Sequence, residues 1–345
     1  MNETLLERID EKPAPPARRP VWSRIAAATG PATGAIAGIV ILTVILAVTQ
    51  PVFLTWGNIT NLVGANSVTL VLALGATFVL LAGGLDLSLV AASAATGMVF
   101  GLMLQSGADA LPAIAVTLLA GLVFGLLNGV LTSYARIPFL VVTLGTASLF
   151  ASIALLLNDG KTINVFDFPG FAFVNDFVLG QAFGIPFILM FDIVLIVITA
   201  VVLRYTKFGR GIYAVGSNAE AARLNGINVR LTTMLVYVIV GFTAALASLV
   251  QVGRLAGAAP TFDATLLLTV IAAVLIGGTA YTGGEGGVGG TVLGVLFLGI
   301  IQNGLTLTSV SSFWRGAVNG IVLILAVALG VARQYGWLRF GRKGR

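Results

Sequence analysis

Apolar runs recur along this chain from about residue 32 almost to its end, separated by short polar stretches. A helix needs about 20 mostly apolar residues to cross the hydrocarbon core of a bilayer. The pattern therefore predicts spanning helices at 32–50, 62–82, 87–105, 110–131, 138–157, 184–203, 231–252, 265–281, 289–306 and 315–333. The second and eighth contain Gly and polar interruptions. The expected fold is all-α, a polytopic membrane protein of about ten transmembrane helices. Two connections stand out by length: 158–183 (NDGKTINVFDFPGFAFVNDFVLGQAF) and 204–230 (RYTKFGRGIYAVGSNAEAARLNGINVR). Long loops in a compact bundle are often functional.

The flanks differ from the bundle. Residues 1–30 are polar and rich in Pro and charge and read as a mostly disordered tail. No small-residue cleavage site follows the first apolar run, so the tail is expected to be kept. Residues 31–334 form the expected membrane domain, with 204–230 as its large polar loop, and 335–345 a basic tail.

Charge gives the orientation. With both termini on the cytoplasmic side and ten crossings, the inside segments collect 16 of the 19 Lys and Arg residues, leaving outside only Lys161, Arg254 and Arg315. Asp109, Asp159, Asp167, Asp176 and Asp263 also fall outside. This is the positive-inside pattern, and an odd number of helices would break it.

Composition narrows the function. Of 345 residues, 58% are hydrophobic and 9% charged, where soluble domains carry about 25% charged. The absence of Cys and His removes disulfides, thiolate metal sites and His-dependent triads. The +6 net charge sits in tails and short loops and is no nucleic-acid signal. The glycine run 282–290 has no Lys after it, so a nucleotide-binding P-loop is not expected. No cofactor, metal or catalytic constellation is visible, and an enzyme is not expected.

The loop 204–230 contains the parts of a short capped helix. Ser217 or Asn218 suits the N-cap, Glu220 falls in the first turn, where the helix dipole favours an acid, and Ala221, Ala222, Arg223 and Leu224 follow. Gly226 suits a left-handed ending. Such a helix on the inner membrane face fits docking to a partner or a plain amphipathic surface equally. A faint internal echo also appears: Val79–Gly84 reads VLLAGG and Val274–Gly278 reads VLIGG. Transporters are often built from repeats with broken helices.

Five segments, in order, then carry a resemblance over residues 54–332. They are Leu74–Leu89 (LGATFVLLAGGLDLSL), Phe124–Thr146 (FGLLNGVLTSYARIPFLVVTLGT), Phe208–Val229 (FGRGIYAVGSNAEAARLNGINV), Gly277–Gly290 (GGTAYTGGEGGVGG) and Gly299–Gly304 (GIIQNG). The chain resembles the permease subunit of ribose-type ATP-binding-cassette sugar importers. One departure is Leu89-Val90 after Asp86-Leu87-Ser88, where the family commonly has a DLSVGS pattern. The resemblance implies a multi-pass protein of the bacterial inner membrane, working as a homodimer. It implies a separate ATPase subunit that binds the ATP and a periplasmic sugar-binding protein. It also implies that 216–228 is the coupling helix seated on the ATPase.

Candidate pathway residues are polar groups inside or near predicted helices: Asn66, Asp86, Asn128, Thr143, Gln302 and Asn303, with Thr69 and Gln251 of the same kind. A sugar offers many uncharged hydroxyls, which amides and hydroxyls can both donate to and accept from. The bland reading is hydrogen bonding between helices. For Asp86 it is capping of the next helix. Phe166, Phe168, Phe171 and Phe173 suit either a docking face or an interfacial aromatic belt. Gly125, Gly129, Gly294, Gly299 and Gly304 are expected to mark close helix packing. Other cargoes (a branched-chain amino acid, a nucleoside, a signalling sugar) stay open. So do an ion-coupled carrier, which would need paired intramembrane charges, and a membrane enzyme on lipid-linked sugars.

Overall fold

The computed structural model describes residues 33–263 and 265–311, with scattered positions between 314 and 328. The predicted tails 1–30 and 335–345 lie outside the described residues, as does most of the predicted helix 315–333.

The described chain is helical. In order it runs α1 (Thr33–Thr49), α2 (Trp56–Leu81), α3 (Leu89–Gln105), α4 (Ala110–Ser133) and α5 (Phe139–Leu156). After β1 (Ile163–Asn164), α6 (Phe171–Leu179), β2 (Gln181–Ala182) and β3 (Ile185–Pro186) come α7 (Phe187–Tyr205), α8 (Lys207–Ser217) and α9 (Ala219–Leu224). The last are α10 (Val229–Leu255), β4 (Gly257–Ala258), α11 (Leu266–Ile276) and α12 (Val288–Leu307). Six of these, α2, α4, α5, α7, α10 and α12, are long and apolar enough to cross a membrane; α1, α3 and α11 are shorter apolar helices.

Three boundaries differ from expectation for physical reasons. Helix α2 starts six residues before the predicted 62, because Thr55 caps it by accepting from the Asn58 N–H and the polar 56–61 stretch coils on. Segment 265–281 is helical only to Ile276, since Gly277 and Gly278 end it. The segment 158–183 is not a bare loop. Its β1 pairs antiparallel with β4, Ile163 opposite Ala258, and α6 packs on α10.

Helices α2 and α10 run through the middle. Within their most apolar stretches 72% and 61% of residues are buried, against 22–28% for α4, α5 and α7, which present their sides to lipid. Glycine allows the closest approaches. A Cβ on Gly125 would lie 2.4 Å from the Tyr237 carbonyl oxygen, and one on Gly121 2.4 Å from that of Gly241. With Gly129 against Met234, three glycines at four-residue spacing, 121, 125 and 129, face α10 from α4. In lipid, where apolar burial between helices gains little, such backbone proximity drives association. Gly294 against Ala273, Gly299 against Asn66 and Gly304 against Leu46 are close approaches too. All five glycines predicted to mark packing do so.

The internal echo is structural as well. After α2, the N–H groups of Ala82, Gly83 and Gly84 donate to Phe78, Leu80 and Val79; after α11, those of Gly277, Gly278 and Thr279 donate to Ala273, Leu275 and Val274. Gly83 (φ 80°) and Gly278 (φ 91°) take the left-handed conformation in each. The pattern recurs with the same offset at every bond, so the α2–α3 and α11–α12 connections begin with the same turn.

Candidate functional site

A cavity of about 400 Å³ opens at the end of the bundle remote from α9. Its walls are the N-terminal half of α2 (Asn61, Ala65, Asn66, Thr69), the C-terminal end of α10 (Gln251, Arg254) and the C-terminal half of α12 (Gly299, Gln302, Asn303, Thr306). Phe262, Asp263, Thr265, Leu266 and Thr269 complete it. The volume falls in the roughly 300–1,000 Å³ range of small-molecule sites. Thr69 is 13 residues from the start of α2, or about 20 Å at 1.5 Å per residue. The cavity therefore reaches to about the middle of the 26-residue α2.

Helix α11 explains why the cavity exists. Its 11 residues cover only about 16 Å. The remaining approach, from β4 through Asp263, is non-helical. Irregular backbone is tolerated at membrane depth where it lines a wet cavity, and Phe262 and Asp263 do line this one. The Asp263 carboxylate anchors the turn, accepting from the Thr265 N–H and hydroxyl at 2.8 Å each.

Of the candidate pathway residues, Asn66, Gln302 and Asn303 line this cavity. Asn66 donates to the Leu62 carbonyl. Asn303 exchanges two amide hydrogen bonds with Asn58, at 3.1 and 2.9 Å, so it also ties α12 to α2. Asp86 and Asn128 lie elsewhere. The Asp86 carboxylate accepts from the Ser88 N–H (2.8 Å) and hydroxyl (2.6 Å), and Asn128 on α4 donates to Asp86 and to Ser88. Asp86 thus caps the start of α3 and ties it to α4, while the Asn128 carbonyl oxygen and the buried Tyr237 hydroxyl have no partner among the described residues. Thr143 is buried on α5 away from the cavity, its hydroxyl likewise unpartnered. The other buried acid, Asp192 on α7, accepts from Ser67 at 2.7 Å.

Asn61, Arg254 and Asp263 were not candidates, yet they line the cavity. The signal was present: Asn61, Ala65 and Thr69 recur every four residues along one face of α2, polar or small in an otherwise apolar helix.

At the other end, α8 and α9 form a helical pair. Thr206 caps α8 by accepting from Gly209 at 3.0 Å. Asn218, one of the two predicted caps, holds the Ala221 N–H at 2.9 Å, while Ser217 is the last residue of α8. Glu220 and Arg223 pair one turn apart, at 3.0 Å for one of two contacts. The Arg223 guanidinium holds the exposed Glu220 carboxyl below the usual carboxylate range. Gly226 has φ 80° and ends the turn. Only Ala222 of α9 is buried; Ala221 and Leu224 point outward with Glu220 and Arg223.

Of the aromatic loop residues, Phe171 is buried, and Phe166 and Phe173 are exposed.

A polytopic bundle with a polar cavity at one end and an exposed capped helix at the other is the architecture of a membrane transport protein. Comparison with known proteins agrees. Residues 58–327 match the family described as the branched-chain amino acid transport system / permease component, and the chain belongs to this family. It is 38% identical over 296 residues to the probable ABC transporter permease protein y4mJ of Sinorhizobium fredii, covering 86% of this chain and 88% of that one. It is 37% identical over 296 residues to the ribose import permease of Bacillus subtilis (86% and 91% covered). Against the D-allose transport system permease of Escherichia coli it is 35% identical over 278 residues (80% and 84%). No solved structure matches the chain. The chain is a permease subunit and not itself an enzyme.

Proposed function

We propose that this chain is the transmembrane permease of an ATP-binding-cassette importer that carries a monosaccharide across the bacterial inner membrane. The observation that carries the cargo class is the cavity lining: Asn61, Asn66, Thr69, Gln251 and Gln302 offer amides and hydroxyls, the groups that pair with sugar hydroxyls. The ribose and allose permeases among its relatives support the same class. In this reading the chain makes ten crossings with both termini in the cytoplasm, so the cavity opens outward and α9 faces inward. Two copies form the pathway. A periplasmic sugar-binding protein delivers cargo to the cavity, and ATP is bound by a separate ATPase subunit, with no cofactor on this chain.

Helix α9 is the coupling element. Ser217, Asn218, Glu220, Ala221, Ala222, Arg223 and Gly226 build or flank it, and its exposed Ala221, Glu220 and Arg223 face the ATPase. Asn66, Gln302 and Asn303 contact cargo, while Asp86, Asn128 and Thr143 act through the packing of α3, α4 and α5.

One observation favours a second cargo. Arg254 and Asp263 line the same cavity and could hold the carboxylate and ammonium of an amino acid, in line with the family's description. Uptake of labelled pentoses, hexoses and a branched-chain amino acid separates the two. A strain lacking the chain should lose uptake of one sugar and regain it with the wild type but not with Glu220→Lys. Loss of amino acid uptake alone would replace the sugar reading.

A further inference from the structure

The α8–α9 pair meets the α2–α3 and α11–α12 connections at one point. Gly216, at the end of α8, has its Cα so close to the α2–α3 turn that an added Cβ would collide with the Leu81 carbonyl oxygen and stand 2.6 Å from the Gly284 nitrogen. A Cβ on Gly283 (φ 85°) would stand 2.7 Å from the Gly83 backbone. Gly284 (φ 77°) packs on Ser217, and its N–H donates to the Leu81 carbonyl at 2.9 Å. The Tyr213 hydroxyl, one turn back on α8, donates to the Gly286 carbonyl at 3.0 Å. Three chain segments far apart in sequence therefore touch largely backbone to backbone, with hydrogen bonds between them.

From this contact we infer that Tyr213, Gly216, Gly283 and Gly284 are positioning residues that pass movement of α9 to α2 and α12 at once. The inference rests on the proposed role of α9. The cavity walls on α2 and α12 are continuous helices leading from this junction: α2 arrives at it through Leu81, and α12 leaves it just past Gly287. A displacement of α8 of an ångström cannot be taken up by side-chain rotamers at these glycine contacts and presses directly on the backbone of both connections. It shifts α2 and α12 as rods, and Asn66 and Gln302 with them.

The test uses the full complex with its ATPase subunit and sugar-binding protein in lipid vesicles. Three quantities are read: co-purification of the ATPase, its basal rate, and the ratio of its rate with loaded binding protein to the basal rate. Gly283→Ala should keep the ATPase bound and its basal rate unchanged, while the stimulation falls about tenfold, within the span of ordinary site-to-site coupling. Tyr213→Phe, which removes only a hydroxyl and leaves packing intact, should reduce stimulation about threefold, the effect of one hydrogen bond. It keeps the test valid where Gly283→Ala does not fold. Wild-type stimulation in Tyr213→Phe, or loss of the ATPase from the complex in either folded variant, would overturn the inference. Failure of the unmodified chain to assemble with any ATPase would instead overturn the proposed function beneath it.

Discussion

Single residues separate the roles of polar groups that look alike in sequence. Gln302 faces the cavity, whereas Asp86 is engaged by Ser88 and Asn128. Gln302→Ala should raise the KM for uptake several-fold with the complex intact. Labelled-sugar transport at varied concentration checks this, and an unchanged KM removes Gln302 from the cargo site. Asp86→Ala leaves the buried Ser88 and Asn128 donors unmet, at about 1–3 kcal/mol, and should lower the melting temperature in detergent. Asp86→Asn keeps an oxygen for the Ser88 N–H and should lower it less. A substitution to Ala that melts like wild type would show that the cap contributes nothing. The sequence reading held capping and pathway roles open for Asp86, because adjacency to Ser88 is local and visible while the approach of Asn128 from α4 is not.

Whole elements were the most legible level. Among the described residues, six helices long and apolar enough to cross a membrane and three shorter apolar ones overlap the segments hydropathy predicts, since a run of about 20 apolar residues has few other fates in lipid. Within the expected stretch 216–228 a short helix, Ala219–Leu224, is there because its signals (Asn218, Glu220, Gly226) all lie within nine consecutive residues. The half-length of α11 was not read, because a non-helical approach from Pro260 to Asp263 is tolerated only by the wet cavity beside it, which no local pattern announces. Nor was the order in α6 and β1, whose partners α10 and β4 lie some 80–95 residues on. The α4–α10 seam makes a contrast of two glycines. Gly125→Ala places a methyl 2.4 Å from the Tyr237 carbonyl and should lower the melting temperature sharply, whereas a Cβ on Gly145 of α5 meets nothing within 4 Å. Gly145→Ala should be neutral or gain up to about 1 kcal/mol from helix propensity. Thermal unfolding of both variants side by side checks the pair, and equal behaviour would refute the seam as a packing determinant.

At the scale of the molecule, one end carries a polar cavity and the other an exposed helix, with α2, α10 and α12 running between them. Cargo and the ATPase should therefore influence one another reciprocally. Loaded binding protein should raise ATPase turnover in the assembled complex, and a rate indifferent to it would sink the importer reading. The cavity was only partly legible for a related reason. Its walls come from α2, α10, α11 and α12, between 61 and 306, and helical periodicity shows which residues share a face but not which faces meet.

The same long reach bears on how the protein is made. Helix α1 packs chiefly on α12: Leu46 and Phe53 are buried with Ile300, and Gly38 sits against Phe297. The first of the described helices to leave the ribosome therefore docks on a segment synthesised about 250 residues later, some 12–50 s at 5–20 residues per second. For that interval α1 must survive in the bilayer with its own surface turned to lipid. It has no charged residue, and Thr49 returns its hydroxyl to the Ile45 carbonyl, so it presents few polar groups to lipid while it waits. A charge placed on the α12-facing side of α1, silent in many soluble helices, would here be felt during biosynthesis, before the fold that could shelter it exists.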